Sequence, residues 1–448
     1  MIHLGTAVIA VRDSQKAATL QQYLAASEYK CEHISDISDL TTELRHFQPD
    51  VLIIGSSFCE DNPGSVVRKI RSDPEFTHLA ILYLAAESLA ENVDVLLSIG
   101  LDDALQWPLA SDVLLAHIRP MVRVSTMRAE FLHRQTVLGR KSQSVELPID
   151  YKTAIAKPVI LLAGTDDTRL RILEACPDAD VTVTSSLVET TQALDEKTFD
   201  MVAIAPTDNI QPWLDLCLQM RRNVRLFNIP VLFINRSPHH LNVQTCFGMG
   251  ASRVMDGIPI IAELIFALHS LVKRQRTRWA LKHALLDTLS SGGSDAAIEE
   301  VYSREFLMRS LELRMQGLSN SAHRNGWRRF SFVRFSFSGL NSIRHECGEE
   351  AERCLIAQIG QWLALLVRAE DIVGRFTPDS FAFILPDTPL NEADVVMQRI
   401  AGVVGNTEFA VEDVFHPVCV WPFVGATEIR RDDSLENIIE RAEPDFGP

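Results

Sequence analysis

The residues of this chain best suited to recognising a ligand are arginines that stand three positions before an aspartate. The pattern occurs three times, at Arg253/Asp256, Arg368/Asp371 and Arg430/Asp433. A guanidinium can donate two hydrogen bonds to O6 and N7 of guanine or to a phosphate, and a carboxylate can accept from the guanine N1–H and amino group. The alternative is a surface ion pair at a helix end, worth about 0–1 kcal/mol. The pattern by itself leaves both interpretations open.

The segments around Arg368 predict the elements that would hold the second of these pairs. Residues 372–385 indicate two strands joined by a tight turn, between a helix over 348–367 and a helix over 391–404. Further strands are predicted at residues 331–337 and 416–424. The run SSGGSD at 290–295 breaks the preceding helix. Residues 295–448 are therefore predicted to form an α+β domain.

The rest of the chain repeats itself with a shift of 150 residues. FQPDVLIIG, which ends at Gly55, aligns with KTFDMVAIA, which ends at Ala205. Each half contains five short apolar segments separated by amphipathic helical stretches. Apolar strands that alternate with helices are typical of a parallel sheet covered on both faces. The sequence therefore predicts two paralogous α/β domains with five-stranded parallel sheets, at 1–140 and 155–290.

Composition and charge exclude several classes of protein. The 448 residues are 46% apolar and 23% charged, which is typical of globular proteins. The formal net charge of −16 argues against nucleic acids and anionic membranes as partners. No apolar segment reaches about 20 residues, and the N-terminus lacks a basic region before an apolar one. We therefore expect a cytoplasmic protein without membrane insertion, and the spacing of the eight cysteines predicts no metal site.

The two repeated units resemble response-regulator receiver domains, which have a flavodoxin-like fold, in strand order and spacing. A working receiver needs an acidic pair for Mg²⁺, an aspartate that ends the third strand, and a lysine before a proline after the fifth strand. Gly55 and Ala205 occupy the two phosphoacceptor positions, Trp107 occupies the first lysine position, and Asp13 remains of the first acidic pair. We expect domains that cannot be phosphorylated by this route, with Asp13 at the start of a helix.

Residues 295–448 resemble the GGDEF domain of diguanylate cyclases, a nucleotide-cyclase-like fold, through RAEDIVGRFTPDSFAFILPDT at 368–388. Cyclisation of GTP needs two metal-binding carboxylates and a glycine-rich turn next to phosphate. The positions that depart from the family pattern are Ser336, Thr377, Pro378 and Ser380, with Arg344 and Arg353 at guanine-binding positions. Only Asp379 keeps an acid, and we interpret it as a solvated turn residue. The resemblance therefore predicts no cyclase activity and no catalytic residues.

The inhibitory site of the same family is better preserved. Arg368/Asp371 is the one pair of the three with the family's spacing of five residues before the signature turn. Arg399 stands 31 residues after Arg368, where the family places a second arginine. The resemblance implies that Arg368, Asp371 and Arg399 bind cyclic di-GMP as a regulatory ligand, with no cofactor.

The order receiver–receiver–GGDEF is that of PleD-like regulators. Degenerate members of this group imply a signalling adaptor of the cell cycle that is recruited to a cell pole. Protease-adaptor and substrate proteins are the partners that this resemblance implies. Two alternatives remain: a residual cyclase, and a dimeric scaffold that binds no nucleotide.

An apolar helical stripe from Ile261 to Leu289 extends beyond the second repeated unit. Its later residues, among them Trp279, Leu285 and Leu286, need a covering surface, because a long exposed apolar stripe is rare in a soluble monomer. The cover can be the same helix of a second chain or the 119–138 segment of this chain. Resemblance to dimeric relatives favours a homodimer that does not depend on phosphorylation.

Overall fold

The computed structural model describes the chain except for residues 1–4, 60–62, 74, 77, 87–92, 141–155, 208, 224, 237–241, 320–328, 412–415, 431–432 and 446–448. The chain divides into two compact units. One consists of Thr6–Ser125 and Glu146–Ala280, and the other of Met1–Gly5, Thr126–Val145 and Leu281–Pro448. The predicted linker between the two repeated domains, at 141–154, lies outside the described residues.

The first repeated domain is a parallel sheet in the order β2-β1-β3-β4-β5. Its strands are β1 (Gly5–Ala10), β2 (Tyr29–Ile34), β3 (Val51–Gly55), β4 (Ala80–Ala85) and β5 (Asp103–Gln106). Its helices are α1 (Ser14–Ala25), α2 (Leu40–Phe47), α3 (Pro63–Ser72), α4 (Val93–Ser98) and α5 (Ser111–Val137). This strand order is the flavodoxin-like one that the sequence predicted.

The second repeated domain has the same topology, since its sheet runs in the order β10-β9-β8-β6-β7. Its strands are β6 (Val159–Ala163), β7 (Asp180–Thr184), β8 (Met201–Ile204), β9 (Val231–Asn235) and β10 (Arg253–Asp256). Its helices are α6 (Asp166–Ala175), α7 (Leu187–Glu196), α8 (Gln211–Arg222), α9 (Val243–Gly248) and α10 (Ile261–Thr288). The prediction of two five-stranded parallel sheets is confirmed.

Two arginines that are equivalent in the repeat make equivalent hydrogen bonds. Arg71 donates to the carbonyl oxygen of Gly100 at 2.9 Å, and Arg221 donates to that of Gly250 at 2.6 Å. Each also donates to the carbonyl eight residues further along, at 2.6 and 2.8 Å. Both glycines have positive φ angles, 87° and 106°, which a side chain would disfavour. The duplicated sequence therefore folds with duplicated contacts.

The two repeated domains pack against each other within their unit. Phe266 of α10 is fully buried and belongs to the apolar core of the first domain. Arg253 of β10 donates from Nη1 to Oδ1 of Asp103 in β5 at 2.7 Å, and His117 of α5 contacts the other oxygen of Asp103 at 2.7 Å. Asp103 and Arg253 are equivalent positions of the 150-residue repeat.

The C-terminal part of the chain forms an antiparallel sheet in the order β12-β13-β11-β14. Its strands are β11 (Phe330–Ser338), β12 (Ile372–Thr377), β13 (Ser380–Pro386) and β14 (Trp421–Glu428). Its helices are α11 (Arg304–Ser319), α12 (Leu340–Cys347), α13 (Glu349–Leu366), α14 (Leu390–Gly405) and α15 (Leu435–Arg441). The last strand lies later than the predicted 416–424, because Val418 instead forms an isolated bridge with Phe409.

Phenylalanines on alternate faces of β11 fill two cores in this sheet. Phe335 packs with residues of α13 and α14 on one face, and Phe332 packs with residues of α11 and α15 on the other. Each is fully buried, and burial of such a side chain contributes about 1.5–3 kcal/mol. Val137, at the end of α5, belongs to the second of these cores. The end of α5 is thus part of this unit.

The later residues of the apolar stripe on α10 are covered within the chain. Leu281 and Leu285 are fully buried, and Leu289 packs in the same core as Val137. Leu286 is 46% exposed. Leu285 is therefore covered without a second chain, and the core shared by Leu289 and Val137 agrees with the predicted cover by the 119–138 segment of the same chain.

Candidate functional site

Arg368 and Asp371 form the ends of a tight turn between α13 and β12. The Asp371 carboxylate accepts a hydrogen bond from the backbone N–H of Arg368 at 2.9 Å, and the Asp371 N–H donates to the Arg368 carbonyl at 3.1 Å. Asp371 is 7% exposed, whereas the Arg368 side chain is exposed. Within the described part of the chain, the guanidinium of Arg368 makes no ion pair or hydrogen bond. Asp371 therefore fixes the turn through its main chain, and the alternative of an Arg368–Asp371 ion pair is not observed.

Arg134 of α5 holds the carbonyl groups of the same turn. Its Nη2 donates to the carbonyl oxygens of Ala369, Glu370 and Asp371 at 3.0, 2.8 and 3.0 Å. Its Nη1 donates to the Tyr302 hydroxyl at 2.9 Å, and Arg134 is 2% exposed. A buried carbonyl that loses its donor costs free energy. The turn is thus fixed from one side by Asp371 and from the other by Arg134.

Tyr302 links Arg134 to β12 and to the end of α10. Its hydroxyl lies 2.6 Å from Oγ1 of Thr288, and its ring lies 5.3 Å from the Arg134 guanidinium carbon. Its backbone N–H donates to Val373, and its carbonyl accepts from Arg375, at 2.9 and 2.8 Å. Sequence reasoning assigned no role to Arg134 or Tyr302, because contacts between distant residues leave no local pattern.

Arg399 lies on α14, which packs against α13, the helix that ends just before Arg368. Its neighbour Ile400 and Leu363 of α13 are buried in one core, while the Arg399 side chain is exposed. Among the described residues, none forms an ion pair or hydrogen bond with Arg399. The structure therefore puts Arg368 and Asp371 in the turn after α13, and Arg399 on the helix that packs against α13.

In each of the other two Arg-x-x-Asp pairs, a charged side chain is already bound by another residue of the protein. Arg253 is buried in the ion pair with Asp103. Arg430 and Asp433 form the same turn, with 2.7 Å from the Arg430 N–H to the carboxylate. However, Arg441 binds both oxygens of Asp433, and its hydrogen bonds lower the pKa of that carboxyl group. Sequence spacing alone could not distinguish these pairs from Arg368/Asp371.

The turn at the cyclase signature position is closed by its own side chains. The Thr377 hydroxyl donates to Oδ1 of Asp379 at 2.5 Å and also lies against the Ser380 hydroxyl. Arg375 donates to the carbonyl oxygens of Thr377, at 2.9 Å, and of Pro378. A glycine-rich turn presents backbone N–H groups to phosphate, whereas this turn is closed by its own side chains and Pro378 has no N–H group.

Ser336 lies opposite Ser380 in the β11–β13 pair, so the structure brings two predicted positions together. Asp379 is exposed in the turn, as expected for a solvated residue. Arg344 and Arg353 are exposed and pair with acidic neighbours, Arg344 with Glu349 at 2.8 Å. In the part of the chain that the structure covers, no three His, Cys, Asp or Glu side chains are grouped to hold a metal ion.

A lysine side chain lies beside Gly55, the first phosphoacceptor position. A Cβ added at Gly55 would lie 2.8 Å from Cγ1 of Val11 and 3.7 Å from Nζ of Lys16. Lys16 is 9% exposed, its Nζ lies 5.0 Å from the centroid of the Trp107 ring, and burial lowers its pKa. Asp13 accepts from the N–H groups two and three residues further on, at 2.9 and 3.2 Å, which confirms its predicted position at a helix start.

The second phosphoacceptor position, Ala205, is buried next to Gly164. A Cβ added at Gly164 would lie 3.1 Å from the Ala205 Cβ, so the space next to it is small. Arg236 pairs with Asp167 at 3.0 Å and donates to Thr165 at 3.0 Å. An arginine thus binds the acid near this position.

Residues 298–445 match the family described as "Diguanylate cyclase, GGDEF domain". Response regulator PleD of Caulobacter vibrioides is 19% identical to this chain over 426 residues, which are 95% of this chain and 92% of PleD. With its two receiver-like sheets before the GGDEF domain, the chain has a PleD-like architecture.

Two further relatives match the GGDEF domain. Probable diguanylate cyclase DgcE of Escherichia coli is 24% identical over 134 residues, 30% of this chain, and the match spans only 12% of DgcE. The solved GGDEF domain of DgcB from Caulobacter crescentus, in complex with c-di-GMP, is 12% identical, with a TM-score of 0.30. It covers 34% of this chain and 82% of the DgcB chain. No described helix of this chain has the length and apolarity to span a membrane.

Proposed function

We propose that this chain is a non-catalytic receptor for cyclic di-GMP, which binds at Arg368, Asp371 and Arg399 of the GGDEF domain. The observation that carries the proposal is the fixed turn at Arg368. Its main chain is held by Asp371 and Arg134, while the Arg368 guanidinium is exposed and binds no described residue. A guanidinium on a fixed turn loses little conformational entropy when it binds a phosphate or guanine.

The chemistry of the ligand fits these side chains. Cyclic di-GMP carries two guanines and two phosphates, and both Arg368 and Arg399 can donate paired hydrogen bonds to either group. In this proposal Asp371 both fixes the turn and contacts the ligand. Ligand binding is relayed through Arg134 to α5, which continues from the receiver-like domain.

The same proposal makes the GGDEF domain a receptor and not a cyclase. Support comes from Ser336 in place of a metal-binding carboxylate and from the turn that Arg375 and Thr377 close. Formation of cyclic di-GMP from GTP and Mg²⁺ that disappears on substitution of Asp379 would contradict it.

We further propose an adaptor role. The loss of cyclase positions resembles that of PopA, a PleD paralogue, and this resemblance supports control of the cell cycle through recruitment of substrate proteins to a protease at a cell pole. A residual cyclase and a nucleotide-independent dimeric scaffold are the alternatives. Binding of cyclic di-GMP distinguishes the receptor from the scaffold.

Titration calorimetry of the full chain with cyclic di-GMP tests the proposal. Arg368→Ala should weaken binding by about tenfold to a hundredfold, because it removes charge-assisted hydrogen bonds. Arg430→Ala is the matched control, since Arg430 is also exposed and begins the same kind of turn. Equal affinity for the wild type and a folded Arg368→Ala variant would show that the ligand binds elsewhere or not at all.

A further inference from the structure

A cavity of about 580 Å³ lies between the two receiver-like domains, within the unit that they form together. It is bordered by α5 on one side and by α8, α9 and α10 on the other. The charged side chains that line it are Arg119, Arg123, Arg221, Arg274, Arg278 and Asp112. Five guanidinium groups therefore face one carboxylate, in a chain whose net charge is −16.

Neutral groups of the protein are partners of two of these arginines, and Arg123 donates to the amide oxygen of Asn228 at 3.1 Å. Arginine stays protonated in proteins, so the like charges persist at every accessible pH. Arg221 is held by backbone carbonyl oxygens, which carry no formal charge. The acid whose charge attracts Arg274 is Asp103, which already forms the 2.7 Å ion pair with Arg253. Grouped positive charge is stabilised when an anion joins it.

A second observation points into the same cavity. Gln275 of α10 lines the cavity, is 2% exposed, and its amide nitrogen has no hydrogen-bond partner in the described part of the chain. Buried polar groups are nearly always hydrogen-bonded in native proteins. The Gln275 amide is therefore a donor that awaits an acceptor.

We propose that this cavity binds a ligand with a diphosphate or triphosphate chain. Five of the six charged side chains that line the cavity are guanidinium groups, so an acceptor-rich polyanion fits it, and guanidinium groups match phosphate geometry. The volume lies in the range of small-molecule sites, about 300–1,000 Å³. Phe227 and Phe247 also line it and offer apolar surface. Inorganic pyrophosphate and a nucleoside triphosphate are the two sources of this chemistry.

Calorimetry on the full chain with pyrophosphate, and separately with GTP, tests this site. We expect saturable binding that weakens with added salt. Arg119→Ala and Arg123→Ala should each lower the affinity about tenfold or more. Arg222→Ala is the control, because Arg222 is exposed on α8 beside Arg221 and does not line the cavity. Tighter binding of GTP than of pyrophosphate assigns the ligand as a nucleotide, and equal binding assigns it as the phosphate chain alone.

Three results would overturn the proposal. The first is the absence of saturable binding of both probes. The second is an equal loss with Arg222→Ala and Arg119→Ala, which would mean attraction by general charge. The third is a loss with Arg368→Ala that Arg119→Ala does not reproduce, which would place the anion on the GGDEF domain. A denaturation curve for each variant checks that it is folded.

Discussion

Arg134 stands 237 residues before Asp371 in the chain, yet it completes the turn that presents Arg368. The spacing of Arg368, Asp371 and Arg399 was visible in the sequence because the family resemblance provided a frame. The partners of their main chain were not visible, since a hydrogen bond between distant segments depends on tertiary packing. The sequence could therefore predict the exposed side chains of the candidate site, but not the buried hydrogen bonds that support them.

Arg134→Ala should lower the free energy of unfolding by about 1.5–3 kcal/mol or more, because buried carbonyl groups lose a charged donor. The affinity for cyclic di-GMP should also fall, since the turn at Arg368 loses its support. Chemical denaturation and calorimetry of the full chain measure the two effects. Arg140→Ala is the control: Arg140 is exposed, donates one hydrogen bond to the Ser291 carbonyl, and should change stability by less than about 0.5 kcal/mol. A folded Arg134→Ala variant with wild-type affinity would show that ligand binding does not depend on the hydrogen bonds of Arg134 to the turn.

His133, on the same segment, makes stability depend on pH. Burial, assisted by the nearby charge of Arg314, lowers the pKa of His133 from 6.5 to about 3. The unfolded chain therefore binds a proton below pH 6.5 that the folded chain does not bind until about pH 3. The free energy of unfolding should fall as pH decreases through this window, by up to about 1.4 kcal/mol per pH unit.

His133→Gln should reduce the slope of unfolding free energy against pH between pH 6.5 and 4. It should not abolish the slope, because burial also lowers the pKa values of His117 and His269. Denaturant titrations at several pH values measure it. An identical slope in the wild type and the variant would show that His133 binds its proton equally well in the folded and the unfolded chain.

At the scale of elements, the ten strands of the two parallel sheets and the helices at 348–367 and 391–404 were predicted, and one short helix was not. The apolar segments of β1 to β10 are short and bounded by polar residues, so their positions follow from composition. The short helix α12 was missed; it lies between Gly339 and Gly348, whose φ angles are 88° and 93°. Glycines that break a helical region twice leave too few residues for a periodic pattern.

The approach of α15 to β14 depends on the absence of a side chain at Gly425. A Cβ there would lie 2.4 Å from the Ala442 carbonyl oxygen and 2.6 Å from the Glu443 carbonyl carbon. Gly425→Ala should therefore displace the end of α15 and destabilise the protein by about 1–3 kcal/mol. Gly402→Ala, within α14, meets nothing within 4 Å and should be neutral or stabilising by up to about 1 kcal/mol. Denaturation curves decide, and equal midpoints for the two variants would contradict the packing argument.

For the molecule as a whole, the phosphorylation-independent homodimer stays a prediction. The chain itself covers Leu285, so this residue no longer calls for a dimer. Leu286 and Leu132, however, remain 46% and 36% exposed on the two long helices. Sedimentation at micromolar concentration, without phosphodonor or cyclic di-GMP, should show a dimer. A phosphodonor should change nothing, since Gly55 and Ala205 offer no carboxylate. A monomer at every concentration would leave the chain as the functional unit.

The contact between Asp103 and Arg253 joins two residues at equivalent positions of the repeat. A position beside the two-fold axis of a symmetric dimer likewise faces its own copy. A dimer of two identical domains would therefore set aspartate against aspartate or arginine against arginine here, and like charges repel. A chimera that carries either domain twice should pair more weakly than the two different halves do.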